Sequence, residues 1–149
     1  MHTIEQLTPK DYYKCQNIWD MSKQPHAQKW MKQMIDGNRI IFIYKINGEF
    51  IGEGALVFDT GDSDYTIPNR RIYLSRLVVK DEYRNQGIGS KIVDFLTQKA
   101  REFGLSEIAL GVDTDNLPAI HLYQKKGFTD IIFEGEDEYG QYMKLLKKL

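Results

Sequence analysis

Apolar residues change their period along this chain, and the changes mark its elements. Tyr12, Cys15, Ile18 and Trp19 recur at helical spacing after Thr8-Pro9-Lys10-Asp11, which supplies a cap residue and a first-turn proline. A short strand around Ile4 precedes that helix. Trp30, Met31, Met34 and Ile35 form a second helical stripe that ends at Gly37. Residues 39–46 are branched and aromatic, Asn47-Gly48 is a strong two-residue hairpin signal, and residues 50–58 resume as an antiparallel strand. Residues 59–70 are polar, contain Gly61 and Pro68, and read as a long loop or loose hairpin connection before a strand over 72–79.

Beyond that strand the helical period returns. Ile88, Ile92, Phe95, Leu96 and Phe103 trace one face of a helix that stops at Gly104. A strand over 108–112, a helix over 117–126 closed by Gly127, and a strand pair over 128–133 and 139–146 around an acidic turn complete the order. The pattern predicts an α+β fold with a mixed sheet. No linker or repeat divides it, so residues 1–149 are expected to form a single domain.

Composition narrows the chemistry. Cys15 is the sole cysteine, so no internal disulfide forms, and its neighbours offer no metal-ligand spacing. It reads as a small core or surface thiol, and no metal is expected. The first residues lack a signal-peptide layout, and no apolar run approaches the roughly 20 residues needed to span a bilayer. A cytoplasmic protein with no membrane partner is expected. A formal net charge of −1 provides no basic field for nucleic acid, and the tail from Lys144 to Lys148 reads as a solvated strand end.

The most informative stretch runs from Leu77 through Val78, Val79 and Arg84 to Ser90, where a branched strand breaks into Gly87 and Gly89 and then a helix. Two glycines remove side chains where the backbone turns, and a helix N-terminus adds partial positive charge, so a diphosphate fits. A plain strand-to-helix turn uses glycines in the same way. The dinucleotide pattern G-x-G-x-x-G fails because Ile92 stands at the third glycine, and the Walker pattern fails because no glycine stands in the required frame.

Arg84-x-x-Gly87-x-Gly89 after a strand resembles the acetyl-CoA pyrophosphate loop of the GNAT superfamily of N-acetyltransferases. A second segment, from Gly111 to Phe128, resembles that family's other cofactor segment: a strand, Asn116 at a helix start, Tyr123 in the helix, then Gly127-Phe128. The resemblance covers most of the chain. It implies a mixed, mostly antiparallel central sheet of about six to seven strands flanked by about four helices. It also implies acetyl-CoA as the acyl donor, with Arg84, Asn85, Gln86, Gly87, Ile88, Gly89 and Ser90 around its pyrophosphate. Leu77, Val78 and Val79 would present backbone groups to its pantetheine arm, and Asn116 would position it. Proline is frequent in the family where Lys80 and Asp81 stand here.

By the same resemblance Tyr123 donates to the departing sulfur, which helps because a thiol pKa near 8.5 leaves a thiolate to be stabilised. Asn116 and Tyr123 lie seven residues apart, about 700° of helix, so they share a face. Both also have plain readings, a cap and a core aromatic. His121 points elsewhere on the helix and reads as surface or packing. An alkylamine with a pKa near 10.4 is about one part in 2,500 neutral at pH 7, roughly 4.6 kcal/mol from its reactive form. Glu53, a carboxylate inside an apolar strand, is the candidate base, with an exposed or salt-bridged strand residue as its plain reading. Tyr73, Ser75 or a water chain are the alternatives.

Two acidic clusters would attract a cationic acceptor, namely Asp59, Asp62 and Asp64 in the long loop and Glu134, Glu136, Asp137 and Glu138 in the last turn. The expected function is acetyl transfer from acetyl-CoA to the primary amine of a small cationic molecule. A protein or peptide acceptor and a non-catalytic acyl-CoA-binding regulatory module are the alternatives, and the chain is expected as a monomer or homodimer.

Overall fold

The computed structural model describes residues 1–149. Contacts group them into two compact units, Met1–Val57 with Ser75–Leu96, and Phe58–Leu74 with Thr97–Leu149.

In the first unit β1 (His2–Gln6), β2 (Arg39–Ile46) and β3 (Glu49–Val57) pair antiparallel, His2 facing Ile46 and Arg39 facing Val57. Asn47 and Gly48 close the β2–β3 hairpin with φ of +50° and +82°. Two positive φ values match the right-handed twist of the strands they join, which is why Asn-Gly is so informative in sequence. Every residue from Phe50 to Val57 is buried, so β3 is covered on both faces. Helix α1 (Ala27–Ile35) follows the second apolar stripe.

The first expected helix forms as a 3₁₀ segment over Pro9–Asn17. Its apolar positions explain the difference: Tyr12, Cys15 and Ile18 recur every third residue, the period of a 3₁₀ turn rather than of an α-helix. Thr8 precedes it without a side-chain bond to its backbone. Tyr12 and Cys15 enter a core with Leu7, Ile41, Ile43, Phe50 and Ala55, against which Trp19, Met21, Met31 and Met34 pack. Cys15 is therefore a buried thiol, and burial, with the charge of Glu53 second, pushes its pKa up.

Strand β4 (Arg71–Val79) leads through a short 3₁₀ turn, Asp81–Tyr83, into α2 (Ile88–Glu102). Ile92 and Leu96 of α2 lie over Gly52 and Gly54 of β3: a Cβ on Gly54 would come within 2.6 Å of Ile92 Cγ2 and 2.9 Å of Leu96 Cδ1. The glycines let helix and strand approach closely, and this contact fixes where the helix N-terminus points.

In the second unit β5 (Glu107–Asp113), α3 (Leu117–Lys125), β6 (Asp130–Asp137) and β7 (Gly140–Lys148) follow in order. Strand β7 pairs antiparallel with both β5 and β6, and β5 pairs parallel with β4 at Arg71↔Glu107, Ile72↔Ile108 and Tyr73↔Ala109. The strand order is β1-β2-β3-β4-β5-β7-β6, a seven-stranded, mostly antiparallel sheet in an α+β fold. No helix is long and apolar enough to cross a membrane.

Two charge readings are corrected in this unit. Glu134, Glu136 and Asp137 stand in β6 rather than in the turn after it. Lys144 is not a solvated strand end: it is 7% exposed, its Nζ lies 3.0 Å from both Asp62 Oδ2 and Asp64 Oδ2, and it sits 4.7 and 4.6 Å from the ring centroids of Tyr65 and Phe133. The lysine pins the long loop to β7. Asp62 and Asp64, expected to draw in a cationic acceptor, are already paired with the chain's own cation.

Substituting Gly54→Val forces a branched three-carbon side chain into fully buried neighbours and is expected to cost about 1–3 kcal/mol of stability, read as a lower denaturation midpoint. An unchanged midpoint would mean that α2 can move off β3.

Candidate active site

The turn between β4 and α2 is built to leave backbone donors free. Asn85 (φ +63°) and Gly87 (φ +79°) both take the left-handed region and fold the chain back on itself between the strand and the helix. Lys91 N makes the first helical bond, to Gly87 O at 3.1 Å, so the N–H groups of Ile88, Gly89 and Ser90 precede the ladder. No acidic side chain occupies the first turn of α2 to compete for them. Ile88 is buried and anchors the turn, while Arg84, Asn85, Gln86 and Gly87 are exposed. Arg84 lies at the surface, its Nη2 3.0 Å from Asp81 Oδ1 and its Nε 3.3 Å from Val79 O. The geometry suits a diphosphate.

The strand feeding this turn has an open edge. The β4–β5 ladder ends at Tyr73↔Ala109, so beyond it Leu77, Val78 and Val79 keep β3 as their ladder neighbour on one side only. Backbone N–H and C=O groups on such an edge call for a partner. Arg76, just before, has φ +62°, an outlier for a residue with a Cβ.

Asn116 and Tyr123 occupy α3 as expected. Asn116 caps it, Oδ1 accepting from Ala119 N at 3.3 Å. Tyr123 is 8% exposed and meets Phe128 edge-on at 5.9 Å between centroids. Burial, then the nearby Tyr73, push its pKa up to about 12, so the hydroxyl keeps its proton at neutral pH and acts as a donor. His121 is exposed.

Glu53 is 1% exposed and both its oxygens are engaged. Trp19 Nε1 donates to Oε1 at 2.8 Å, and Arg76 Nε lies 3.6 Å from Oε2. The guanidinium of Arg76 lies over the rings of Trp19 and Trp30, with Cζ 4.7 and 4.2 Å from their centroids. Arg39, 4% exposed, lies over Trp30 as well and donates to Gln33 Oε1 at 2.8 Å and Ser75 Oγ at 3.1 Å. Sequence reasoning singled out Glu53 and Ser75 but missed Trp19, Trp30, Arg39 and Arg76. The available signal was Arg76 itself, a cation interrupting a branched strand.

Comparison with known proteins bears on what these parts are. The sequence profile described as "Acetyltransferase (GNAT) family" matches residues 1–128. The chain belongs to that family. A thialysine N-epsilon-acetyltransferase of Bos taurus is 40% identical over 95 residues, 58% of this chain and 54% of that protein. A spermine/spermidine N(1)-acetyltransferase of Bacillus subtilis (strain 168) is 32% identical over 82 residues, 54% of this chain and 52% of that protein. The matches span about half the length of these curated relatives. A GNAT acetyltransferase from Elizabethkingia anophelis, solved with acetyl-CoA bound, superposes with a TM-score of 0.70 at 19% identity, covering 99% of this chain and 98% of that one. That likeness establishes the shared GNAT fold.

The GNAT framework of this chain buries two tyrosines whose titration is readable. Burial, then the charge of Glu53, push Tyr12 up to about 12, and Tyr123 is raised to about 12 as well. A raised folded pKa contributes stability that is complete below the ordinary value of 10.0 and is lost as pH climbs through the folded value. Phenolate absorbance from Tyr12 and Tyr123 should therefore rise late, together with loss of stability between about pH 10 and 12. A single early stage with the fold intact would contradict the burial of both hydroxyls.

Proposed function

We propose that this chain transfers an acetyl group from acetyl-CoA to a primary amine, directly, with both substrates bound together. The observation that carries the reading is the open edge of Leu77, Val78 and Val79 running into an acid-free helix N-terminus, a backbone receptor for an amide-bearing arm followed by a diphosphate. Membership of the GNAT family and a fold shared with a neighbour solved with acetyl-CoA support it.

Acetyl-CoA supplies the thioester. The N–H groups of residues 85–90 bind its phosphates with the Arg84 side chain adding charge, the edge of β4 holds its arm, and Asn116 orients it through the amide nitrogen that capping leaves over. Positioning of this kind supplies as much as about 7–11 kcal/mol of a barrier. The amine nitrogen bonds to the acyl carbon, the C–S bond breaks, and the sulfur leaves as thiolate under the Tyr123 hydroxyl. With the phenol raised to about 12 and a thiol near 8.5, full proton transfer from Tyr123 runs uphill by roughly 5 kcal/mol. Tyr123 therefore stabilises the thiolate by a hydrogen bond, and the proton released by the amine is the one that finally neutralises it.

That proton goes to water: Glu53 is 1% exposed and its two oxygens already face Trp19 Nε1 and Arg76 Nε. We assign Glu53 to positioning Trp19 and Arg76. The acceptors named for the curated relatives, thialysine and spermine or spermidine, support a small amine as the acceptor class.

Calorimetry should detect coenzyme A binding to the folded chain, and Tyr123→Phe should lower kcat about 100-fold while leaving that affinity within about twofold. Unchanged turnover removes Tyr123 from the chemistry, and absence of coenzyme binding removes the whole reading. Glu53→Gln should retain the rise of kcat/KM with pH that the amine imposes; if the rise disappears, Glu53 is the base after all.

A further inference from the structure

Arg76 is placed as a receptor rather than as a brace. Its Nε is buried without a hydrogen-bond partner, and Glu53 Oε2, at 3.6 Å, gives charge balance at a distance beyond a hydrogen bond. Arginine carries five N–H donors in a planar fork, and arginine–carboxylate pairs frequently engage that fork with two parallel bonds at about 2.7–2.9 Å. Here the pair is long and single. The side chain is nonetheless only 16% exposed, so water does not fully replace the missing partners.

The surroundings hold this fork rigidly. Trp19 and Trp30 meet at an interplanar angle of 82°, forming a corner, and the guanidinium lies over both rings. Trp19 is in turn fixed by its bond to Glu53 Oε1. The backbone of Arg76 also sits at φ +62°, a conformation that strains an L-residue and suits a glycine. The indole faces and Glu53 hold the charge of this side chain but leave its Nε without a hydrogen bond, which is the feature a ligand would answer.

The reading of the site as an acetyl-transfer centre says where that ligand comes from, and the inference rests on it. With phosphates at residues 84–90 and the arm running back along Val79, Val78 and Leu77, the acyl end points toward Arg76, the next residue. The acceptor amine attacks there. We propose that Arg76 binds a carboxylate of the acceptor, so that the acceptor is an amino acid or another small amine bearing a carboxylate, and not a polycation. The two oxygens match the fork, and a second ammonium group in that place would face a fixed positive charge.

The only two tryptophans in the chain are the two that flank Arg76, so tryptophan fluorescence, excited beyond the tyrosine band, watches this place. Lysine and cadaverine differ by one carboxylate and make the probe pair, at matched ionic strength. Lysine should give a saturable fluorescence change with the wild-type chain, and Arg76→Gln should weaken it at least about tenfold, as expected for a charge-assisted pair. Arg76→Lys, which keeps the charge and loses the fork, should fall near Arg76→Gln, with circular dichroism checking that both variants fold. In turnover with acetyl-CoA, kcat/KM should favour lysine over cadaverine by at least about tenfold, and this preference should collapse in Arg76→Gln.

Equal responses to the two probes, or no saturable response to lysine in the folded wild-type chain, would overturn the proposal. So would an Arg76→Gln variant that gains cadaverine turnover without losing lysine binding, since the indole corner with Glu53 would then be a cation box that Arg76 merely fills. Failure of acetyl transfer with lysine binding intact would count against the acetyltransferase reading alone, because the fluorescence titration needs no coenzyme.

Discussion

Backbone hydrogen bonding along β4 is the constraint on which the rest depends. Its ladder to β5 stops at Tyr73↔Ala109, yet the strand continues to Val79, so three residues of extended chain keep one edge without a strand partner. Unpaired peptide groups beside a packed sheet are costly, and natural sheets hide, twist or use them. In this chain the open edge lies directly ahead of a turn whose own N–H groups are unspent. A ligand with amides at one end and phosphates at the other would satisfy both at once, and that is what would join the two features into one site.

Packing sets how accurately that site is aimed. Gly52 and Gly54 strip two side chains from β3, and Ile92 and Leu96 of α2 fill the space. The helix is thereby pressed against the strand next to β4, and its first turn is carried to a fixed place relative to the end of β4. Asn85 and Gly87 then absorb the reversal between them in left-handed conformations. The glycines of β3 are as much a part of the proposed phosphate site as the glycines of the loop.

The sequence carried the elements that obey a single local rule. Asn47-Gly48 required a tight hairpin, alternation gave the strands, and the Arg84-x-x-Gly87-x-Gly89 spacing located the turn, because in each case the residue type itself restricts the backbone. Readings failed where a distant partner decided. Lys144 looked solvated because five residues of sequence show its neighbours in the tail and not Asp62 and Asp64, some eighty positions away. The segment after Thr8 was read as α-helix because its threefold spacing also fits within a helical stripe. Glu53 was noticed as a carboxylate inside an apolar strand, whereas the indole corner around Arg76 gathers residues 19, 30, 53 and 76 from a turn, a helix and two strands, and no local spacing announces it.

Charge balance inside the chain reframes which acceptors the site would prefer. A near-neutral total and clustered loop carboxylates suggest a surface that draws in cations, but a carboxylate already paired exerts little field at a distance. Asp62 and Asp64 spend theirs on Lys144, and Glu53 spends its own on Trp19 and Arg76. Along the strand that leads to the phosphate turn, the charged group short of hydrogen bonds is a guanidinium. Selectivity would then follow from the one unspent hydrogen-bonding group at the reacting end, and that group asks for an anion beside the amine.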